Sequence, residues 1–260
     1  MLEAKLELEH RLDLDRIAQV ILSRRPTLAF TGAGISTESG IPDFRGPGGL
    51  WKRTAPTAFR DFLTDPEARA RYWERRRERY PELLAKQPNV GHESLTELVN
   101  VGVVEKVITQ NIDGLHQKAG VDPDRVIELH GSSHQIRCLD CRLTYPADSD
   151  EIDFSVPVPG CPACGGILKE ATISFGEPLI EEDIRQALQL AEQCGMMLVV
   201  GSSLTVNPAS RVPLVAARNG ATLAIINNEE TPLDSYAEHI VRAPAGPSLN
   251  YLTRQVRAGA

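Results

Sequence analysis

Short apolar runs rich in β-branched residues alternate along the chain with segments that have a helical period. Apolar residues recur at positions i, i+3, i+4 and i+7 in residues 14–21 and 184–191, and this spacing predicts amphipathic helices. The continuous apolar runs predict buried strands at residues 27–31, 103–109, 126–129, 196–201, 222–227 and 239–242. Because buried strands that alternate with helices form a parallel sheet covered on both faces, the pattern predicts an α/β fold.

Two stretches interrupt this alternation. Residues 52–90 show no strand pattern and have a helical character, with arginine, glutamate and aromatic residues between prolines. Residues 131–175 contain four paired cysteines, scattered prolines and a Cys-Gly-Gly turn. We therefore predict that 52–90 and 131–175 form a smaller module beside a sheet domain made of residues 1–51, 91–130 and 176–260.

The composition is that of an ordinary folded domain and narrows the classes of partner. Of 260 residues, 42% are hydrophobic and 24% charged, which excludes a disordered or fibrous chain. The net charge of −7 argues against direct nucleic acid binding and against an anionic membrane surface as partners. No run approaches the roughly 20 apolar residues of a membrane helix, and the charged first residues do not resemble a signal peptide, so we expect a cytoplasmic protein.

Glycines follow the first predicted strand, where Gly32-Ala33-Gly34 opens the next segment. Glycines at such a turn let backbone N–H groups approach a pyrophosphate, although Thr37 replaces the third glycine of the usual Gly-x-Gly-x-x-Gly fingerprint. Small polar residues also end the strands before Gly201-Ser202-Ser203 and Asn227-Asn228-Glu229. Because ligands of open α/β sheets bind beyond the carboxyl ends of strands, these ends favour a Rossmann-like dinucleotide site over purely structural turns.

Four of the five cysteines form two Cys-x-x-Cys pairs, Cys138 with Cys141 and Cys161 with Cys164. In a reducing cytosol such pairs favour a metal over disulfides, and two such turns place four thiolates around a tetrahedral Zn²⁺. A full set of four thiolates leaves no open coordination position, so we predict one structural zinc in a zinc ribbon. Reduced cysteines or a redox pair are the alternative.

Polar side chains cluster after the strand that ends at residue 109. Gln110, Asn111 and Asp113 follow this strand, and His130 follows the next one. A histidine at the end of a strand is a candidate general base because it titrates near neutral pH. Capped turns and a structural histidine are the alternatives, and we expect the structural role for His92, His116 and His134.

In this order, the motifs resemble those of the sirtuins, a family of NAD-dependent protein lysine deacylases. The resemblance covers about residues 26–258 and rests on segment 32–46, Gln-Asn-Ile-Asp at 110–113, His130-Gly131, the cysteine pairs, Phe-Gly-Glu at 175–177 and Gly-Ser-Ser at 201–203. It implies that NAD is consumed rather than reduced. The bond to nicotinamide breaks, the acyl oxygen of the modified lysine attacks the ribose, and the products are lysine, nicotinamide and O-acyl-ADP-ribose.

The resemblance also implies roles for individual residues. It makes His130 the general base, with Asn111 and Asp113 as further catalytic residues around the nicotinamide and its ribose. The implied NAD site consists of Gly32, Ala33, Gly34, Ile35, Glu38, Asp43, Phe44, Arg45, Trp51, Gln110, Asn111, Ile112, Asp113, Gly201, Ser202, Ser203, Asn227, Asn228, Glu229 and Ala245. The implied contacts to an acylated-lysine protein or peptide are Phe175, Gly176, Glu177, Val206 and Asn207. Residues 176–177 and 205–207 would bind the peptide by β-augmentation.

The chain departs from the family pattern in two places. Asn207 stands where many relatives carry an aromatic residue, and residues 171–174 are more polar than the usual apolar run before Phe-Gly-Glu.

One further spacing bears on the acyl group. In one sirtuin subgroup a Tyr-x-x-Arg spacing binds an acidic acyl chain such as succinyl, and Tyr72 and Arg75 have this spacing. Residues at i and i+3 of a helix share a face, but an arginine-rich helix also produces the spacing by chance. We expect deacetylation, with a desuccinylase or demalonylase preference through Tyr72 and Arg75 as the alternative.

Other activities remain open at this point. A dehydrogenase would use the same fold, and a mono-ADP-ribosyltransferase would also cleave NAD. A zinc ribbon that contacts nucleic acid is disfavoured by the acidic charge and by the lack of interleaved aromatic and basic residues in 131–175.

Overall fold

The computed structural model describes residues 6–43 and 56–259. Its strands are β1 (Thr27–Thr31), β2 (Val104–Thr109), β3 (Val126–Glu128), β4 (Gly131–Cys138), β5 (Thr144–Pro146), β6 (Leu168–Thr172), β7 (Met196–Val200), β8 (Thr222–Ile226) and β9 (His239–Val241). Its α-helices are α1 (Leu8–Ser23), α2 (Phe59–Thr64), α3 (Pro66–Ala85), α4 (Val90–Asn100), α5 (Leu115–Lys118), α6 (Glu181–Gln193), α7 (Arg211–Arg218) and α8 (Ala245–Gly259).

Six strands form one parallel sheet in the order β3-β2-β1-β7-β8-β9. Counted within the sheet, this is the order 3-2-1-4-5-6 of doubly wound dinucleotide-binding folds. The direction of winding reverses between β1 and β7, and a crevice opens there beyond the carboxyl ends of the strands. The six predicted strands all form, each within one residue of its predicted ends.

Helices cover both faces of this sheet, as the alternation of elements predicted. On one face, α1, α4 and α8 bury a core that includes Leu14, Ile17 and Ile21 of the first amphipathic segment. On the other face, α6 and α7 pack against residues such as Leu28 and Phe30 of β1. Ala29 lies between those two residues and belongs to the first core, so successive side chains of β1 serve opposite faces.

A second, antiparallel sheet has the order β5-β4-β6. Helix α3 packs Trp73 and Tyr80 against Ile136, Tyr145 and other buried residues of this sheet and its loops, which gives the small module its own core. The helical insertion and the cysteine-rich segment therefore pack on each other. The strands of this sheet carry polar residues, and the apolar pattern did not predict them.

Within the described ranges, no helix has both the length and the apolar composition to span a bilayer.

Candidate active site

A cavity of about 600 Å³ lies beyond the carboxyl ends of the strands, where the winding of the large sheet reverses. Residues from every predicted motif of the sheet domain line it together with residues of the small module. From the predicted site these are Gly32, Ala33, Gly34, Asp43, Tyr72, Gln110, Asn111, Ile112, His130, Phe175, Gly176, Glu177, Gly201, Ser202, Ser203, Val206, Asn207, Asn227, Asn228 and Glu229.

The turns after β1 and β7 touch each other through their backbones. The N–H of Gly34 donates to the carbonyl of Gly201 at 2.8 Å, and the N–H of Gly32 donates to that of Val200 at 3.1 Å. Gly201 has a φ of +62°, and a Cβ there would lie 2.4 Å from the Ile35 nitrogen. Only glycine fits both the left-handed backbone and the close approach, which leaves a side-chain-free cradle suited to a pyrophosphate.

Buried hydrogen bonds hold Asn111 and Asp113 against the turn after β1. The Asn111 amide donates to the Gly32 carbonyl at 3.2 Å and to the Ser36 hydroxyl at 3.1 Å. The Ser36 hydroxyl in turn donates to the Asp113 carboxylate at 2.7 Å, and that carboxylate also caps the start of α5 at Leu115. Asn111 reaches the cavity, whereas Asp113 lies behind its lining.

His130 faces the cavity with a defined tautomer. Its Nδ1 lies 2.9 Å from the Gln110 carbonyl oxygen, which only accepts hydrogen bonds, so Nδ1 carries the proton of the neutral ring. The lone pair of that ring is then on Nε2, the atom that can take a proton from a substrate hydroxyl. The Gln110 side chain donates to the Ser202 hydroxyl at 2.7 Å and so connects the ends of β2 and β7.

The other predicted residues lie elsewhere. Ile35 is in the sheet-domain core, and Ala245 lies in the same core at the start of α8. Glu38 accepts a hydrogen bond from the Gly246 N–H at 3.0 Å, which ties the turn after β1 to that helix. Arg75 is not part of the cavity lining, but its guanidinium donates to the hydroxyl of Thr57, which is. Phe44, Arg45 and Trp51 lie outside the described residues.

Two segments of the cavity lining, 175–177 and 206–207, carry the residues predicted to contact a substrate peptide. After β6 a turn runs from Ser174 to Glu177, with Gly176 at a φ of +82° and Phe175 44% exposed. The Glu177 carboxylate receives a hydrogen bond from the Ser174 N–H at 2.9 Å and pairs with Arg137 at 2.9 Å and Lys169 at 3.0 Å. These ion pairs anchor the turn to the small sheet.

Sequence reasoning missed charged residues of the lining. Arg79 of α3 and Glu170 of β6 both line the cavity, and the Glu170 carboxylate is 2% exposed. Glu170 lies next to the fully buried Lys169 in a strand whose residues are all buried. The sequence signal that could have indicated them is the adjacent Lys169 and Glu170 within a short strand, because charged side chains that are buried need charged partners.

The four predicted cysteine ligands come together at one end of the small sheet. Their sulfur atoms all lie within 4.8 Å of one another, with 3.6 Å between Cys138 and Cys164 and 3.7 Å between Cys141 and Cys161. Four Zn–S bonds of about 2.3 Å in a tetrahedron put neighbouring sulfurs about 3.8 Å apart. The four thiolates therefore fit a structural zinc ion.

Behind the site lie two histidines with a strongly lowered pKa. Burial lowers the pKa of His116 to about 3 and that of His92 to about 4, with the Asp113 charge acting against the shift at His92. The Nε2 of His116 lies 2.9 Å from the Thr31 hydroxyl, and the Nε2 of His92 lies 3.4 Å from the Ser36 hydroxyl. Both rings therefore stay neutral in the folded protein at ordinary pH, in the structural role predicted for them.

These shifts predict an acid-sensitive fold. Below the ordinary histidine pKa of about 6.5, the unfolded chain binds protons that the folded chain excludes. The contribution of the two histidines to the free energy of unfolding is therefore complete above pH 6.5 and falls as the pH drops toward 4. We expect a loss of about 1.4 kcal/mol per pH unit for each histidine. Urea unfolding at several pH values measures this slope. His116→Gln, which keeps a polar atom near the Nε2 position, should reduce it, whereas His239→Gln on the far edge strand should not.

Known proteins resemble this chain over almost its whole length. The Sir2 family profile matches residues 32–208. An NAD-dependent protein deacetylase of Thermodesulfovibrio yellowstonii is 41% identical over 251 residues, 94% of this chain and 95% of the relative. One of Caldivirga maquilingensis is 46% identical over 246 residues, 93% of each chain. A solved Sir2 variant with deacetylated p53 peptide and 3′-O-acetyl ADP-ribose has a TM-score of 0.82 and 35% identity, covering 95% of this chain and 98% of that one.

Proposed function

The chain belongs to the Sir2 family and is an NAD-dependent protein deacetylase, and we propose that His130 is its general base and that the cavity at the β1–β7 crevice holds both NAD and the acyl-lysine. The observation that carries the proposal is the convergence of the glycine cradle, the Gln110–Ile112 segment and His130 on one cavity. The same cavity continues to Phe175 and Asn207, where a protein substrate would enter.

NAD supplies the glycosidic bond to nicotinamide, and its ADP-ribose part receives the acyl group. The chain's own residues bind and orient it. The close backbone approach at Gly32, Gly34 and Gly201 leaves space without side chains for the phosphates. Asn227, Asn228 and Glu229, at the end of β8, bind the adenosine side. We assign the ribose and nicotinamide side to Asn111, which lines the cavity and is held by Gly32 and Ser36.

His130 moves the proton. The hydrogen bond from Nδ1 to the Gln110 carbonyl fixes the ring, so that Nε2 accepts a proton from a ribose hydroxyl when this hydroxyl attacks the transferred acyl group. Asp113 supports this arrangement indirectly, since its carboxylate holds Ser36 and thereby Asn111. Phe175 covers the acyl-lysine and excludes water from the reacting carbon.

The substrate peptide binds as an extended strand. The Ser174–Glu177 turn and the segment around Val206 and Asn207 line the same cavity, which supports a peptide that lies between them and pairs its backbone with both. Solved Sir2 structures hold a p53 peptide with NAD+ and a deacetylated p53 peptide, which supports a peptide partner for this chain.

One experiment tests the proposed activity. NAD and an acetyl-lysine peptide should give equal amounts of deacetylated peptide, nicotinamide and O-acetyl-ADP-ribose by mass spectrometry. A dehydrogenase would instead produce the absorbance of reduced nicotinamide, and a mono-ADP-ribosyltransferase would leave ADP-ribose on protein. Either result, without deacetylated peptide, contradicts the proposal.

Arg75 offers a test of the predicted acidic-acyl motif. Because its guanidinium bonds Thr57 and does not line the cavity, Arg75→Met should change the ratio of kcat/KM for succinyl and acetyl peptides by no more than about threefold. A collapse of succinyl turnover alone in this variant would restore Arg75 as the residue that binds an acidic acyl chain.

A further inference from the structure

A buried carboxylate occupies one side of the cavity that holds His130. Glu170 accepts hydrogen bonds at one oxygen from the Tyr72 hydroxyl at 3.1 Å and from the Arg79 guanidinium at 2.8 Å. Tyr72, Arg79 and Glu170 all line the cavity. The protein's own carboxylate thus accepts from a tyrosine hydroxyl and a guanidinium of this lining, two groups that could otherwise donate to an incoming anion.

The small module keeps Glu170 in this place. Strand β6 pairs Glu170 with Ile136 of β4, and the Arg76 guanidinium lies 3.5 Å from the second carboxylate oxygen. Arg76 is itself held by the Ala147 carbonyl at 2.7 Å and by the ring of Tyr80, 4.3 Å from its guanidinium carbon. The buried Glu170 carboxylate therefore has two cationic partners, Arg76 and Arg79.

The cluster lies within reach of an acyl chain that is longer than acetyl. The N–H of Ile173 donates to the His130 carbonyl at 2.8 Å, and Glu170 lies three residues earlier on the same chain. At about 3.3 Å per residue this is roughly 10 Å along the strand. An acetyl group that reacts beside His130 ends short of the cluster, whereas the far end of a longer chain directed along β6 approaches it.

An acyl chain that ends in a carboxylate meets a like charge here. The proton of the Tyr72 hydroxyl points to Glu170, so this hydroxyl offers only lone pairs to a second carboxylate. Burial and then the Glu170 charge raise the pKa of Tyr72 well above its usual value, which keeps the hydroxyl protonated. Arg79 is already paired, and a second anion has to share it against the repulsion of Glu170.

We propose that Glu170 determines acyl specificity: by occupying Tyr72 and Arg79 it disfavours acyl-lysines with an anionic end, such as succinyl, and leaves neutral acyl groups as the substrate class. This inference rests on the proposed deacylase site. It assigns the role to residue 170 of the small sheet and makes Arg79, rather than Arg75, the arginine that faces the acyl chain.

The test compares the ratio of kcat/KM for succinyl and acetyl forms of one peptide. In the wild-type chain this ratio should be below about 0.1. Glu170→Gln keeps the shape of the side chain and removes the charge, and should raise the ratio at least about tenfold. In Glu170→Gln/Arg79→Met the gain should disappear. The control is Glu78→Gln, which removes an exposed carboxylate from the same helix as Tyr72 and should leave the ratio unchanged.

Two further measurements decide the outcome if a variant is unstable or turnover fails. Arg79→Met loses a half-exposed side chain and, with Glu170 still present, should lower the ratio by at least about threefold. Calorimetric affinities for the two peptides should shift in the same sense in Glu170→Gln, even if no nicotinamide is released. Absence of turnover with both peptides counts against the proposed function alone. A wild-type ratio near one, or an unchanged ratio and unchanged relative affinity in Glu170→Gln, overturns the role of Glu170.

Discussion

The variant His130→Ala is expected to lose about 10²–10⁴-fold in kcat while it still binds NAD, because a general base contributes that much to a rate. The ring lies in the cavity with Nδ1 fixed by the Gln110 carbonyl, and alanine removes this ring together with the Nε2 lone pair that takes the proton. Nicotinamide release and deacetylated peptide measure kcat, and calorimetry measures NAD affinity.

A second histidine variant provides the control. His239 lies on β9, at the other edge of the sheet from the β2 and β3 ends, and outside the cavity lining. His239→Ala should therefore retain its kcat. A well-folded His130→Ala protein with full turnover would reject the assignment of His130 as the base, and loss of NAD affinity would point to a binding role instead.

Loss of one cysteine ligand should have the largest effect on stability. We expect about one zinc per chain in the wild type and almost none in Cys161→Ser, since three thiolates bind a structural zinc more weakly than four. Structural zinc contributes about 10–16 kcal/mol to zinc-finger peptides, so even a partial loss of about 4 kcal/mol should lower Tm by roughly 10 °C. Metal analysis and thermal unfolding measure both effects. Fluorescence of Trp73, buried between α3 and the small sheet, should move toward the spectrum of an exposed indole.

Cys194→Ser is the matched control, because it removes one thiol from the sheet-domain core and leaves the cluster intact. It should keep its zinc. Active wild-type protein without zinc would contradict the structural site. In Cys161→Ser we also expect weaker peptide turnover, since Arg137 beside Cys138 and Lys169 beside Leu168 hold Glu177 and the turn that carries Phe175.

These large effects fall on residues that local sequence signals had identified. His130 and the cysteine pairs belong to short motifs, and the β1 and β7 strands are continuous apolar runs that are buried on both faces. Such signals depend on neighbours within a few residues, so they can be recognised without knowledge of the fold. The antiparallel strands escaped prediction for the opposite reason. In β6, Lys169 and Glu170 replace the apolar pattern. Lys169 pairs with Glu177 in the next turn, and Glu170 pairs with Arg76 and Arg79 on α3, a distant part of the chain.

The residues proposed to face the acyl chain give a second example of this difference between sequence and structure, on helix α3. The Tyr-x-x-Arg spacing draws attention to Tyr72 and Arg75, which are about 60° apart around a helix of 3.6 residues per turn. Arg79 lies two turns after Tyr72 and only about 20° away, so it follows Tyr72 into the cavity while Arg75 bonds Thr57. The spacing is visible in the sequence, but which arginine faces the substrate depends on how α3 packs on the small sheet.

The sequence by itself determined the six buried strands, the glycine turn, the four-thiolate set and the membership of a deacetylase family, because periodicity and motif spacing are local properties of the chain. Only the tertiary structure decided which distant residues contact each other. Gly34 donates a hydrogen bond to Gly201, His130 donates one to Gln110, and Glu170 accepts hydrogen bonds from Tyr72 and Arg79. These contacts join residues that the sheet order and the packing of the small module bring together, and no local pattern encodes that order.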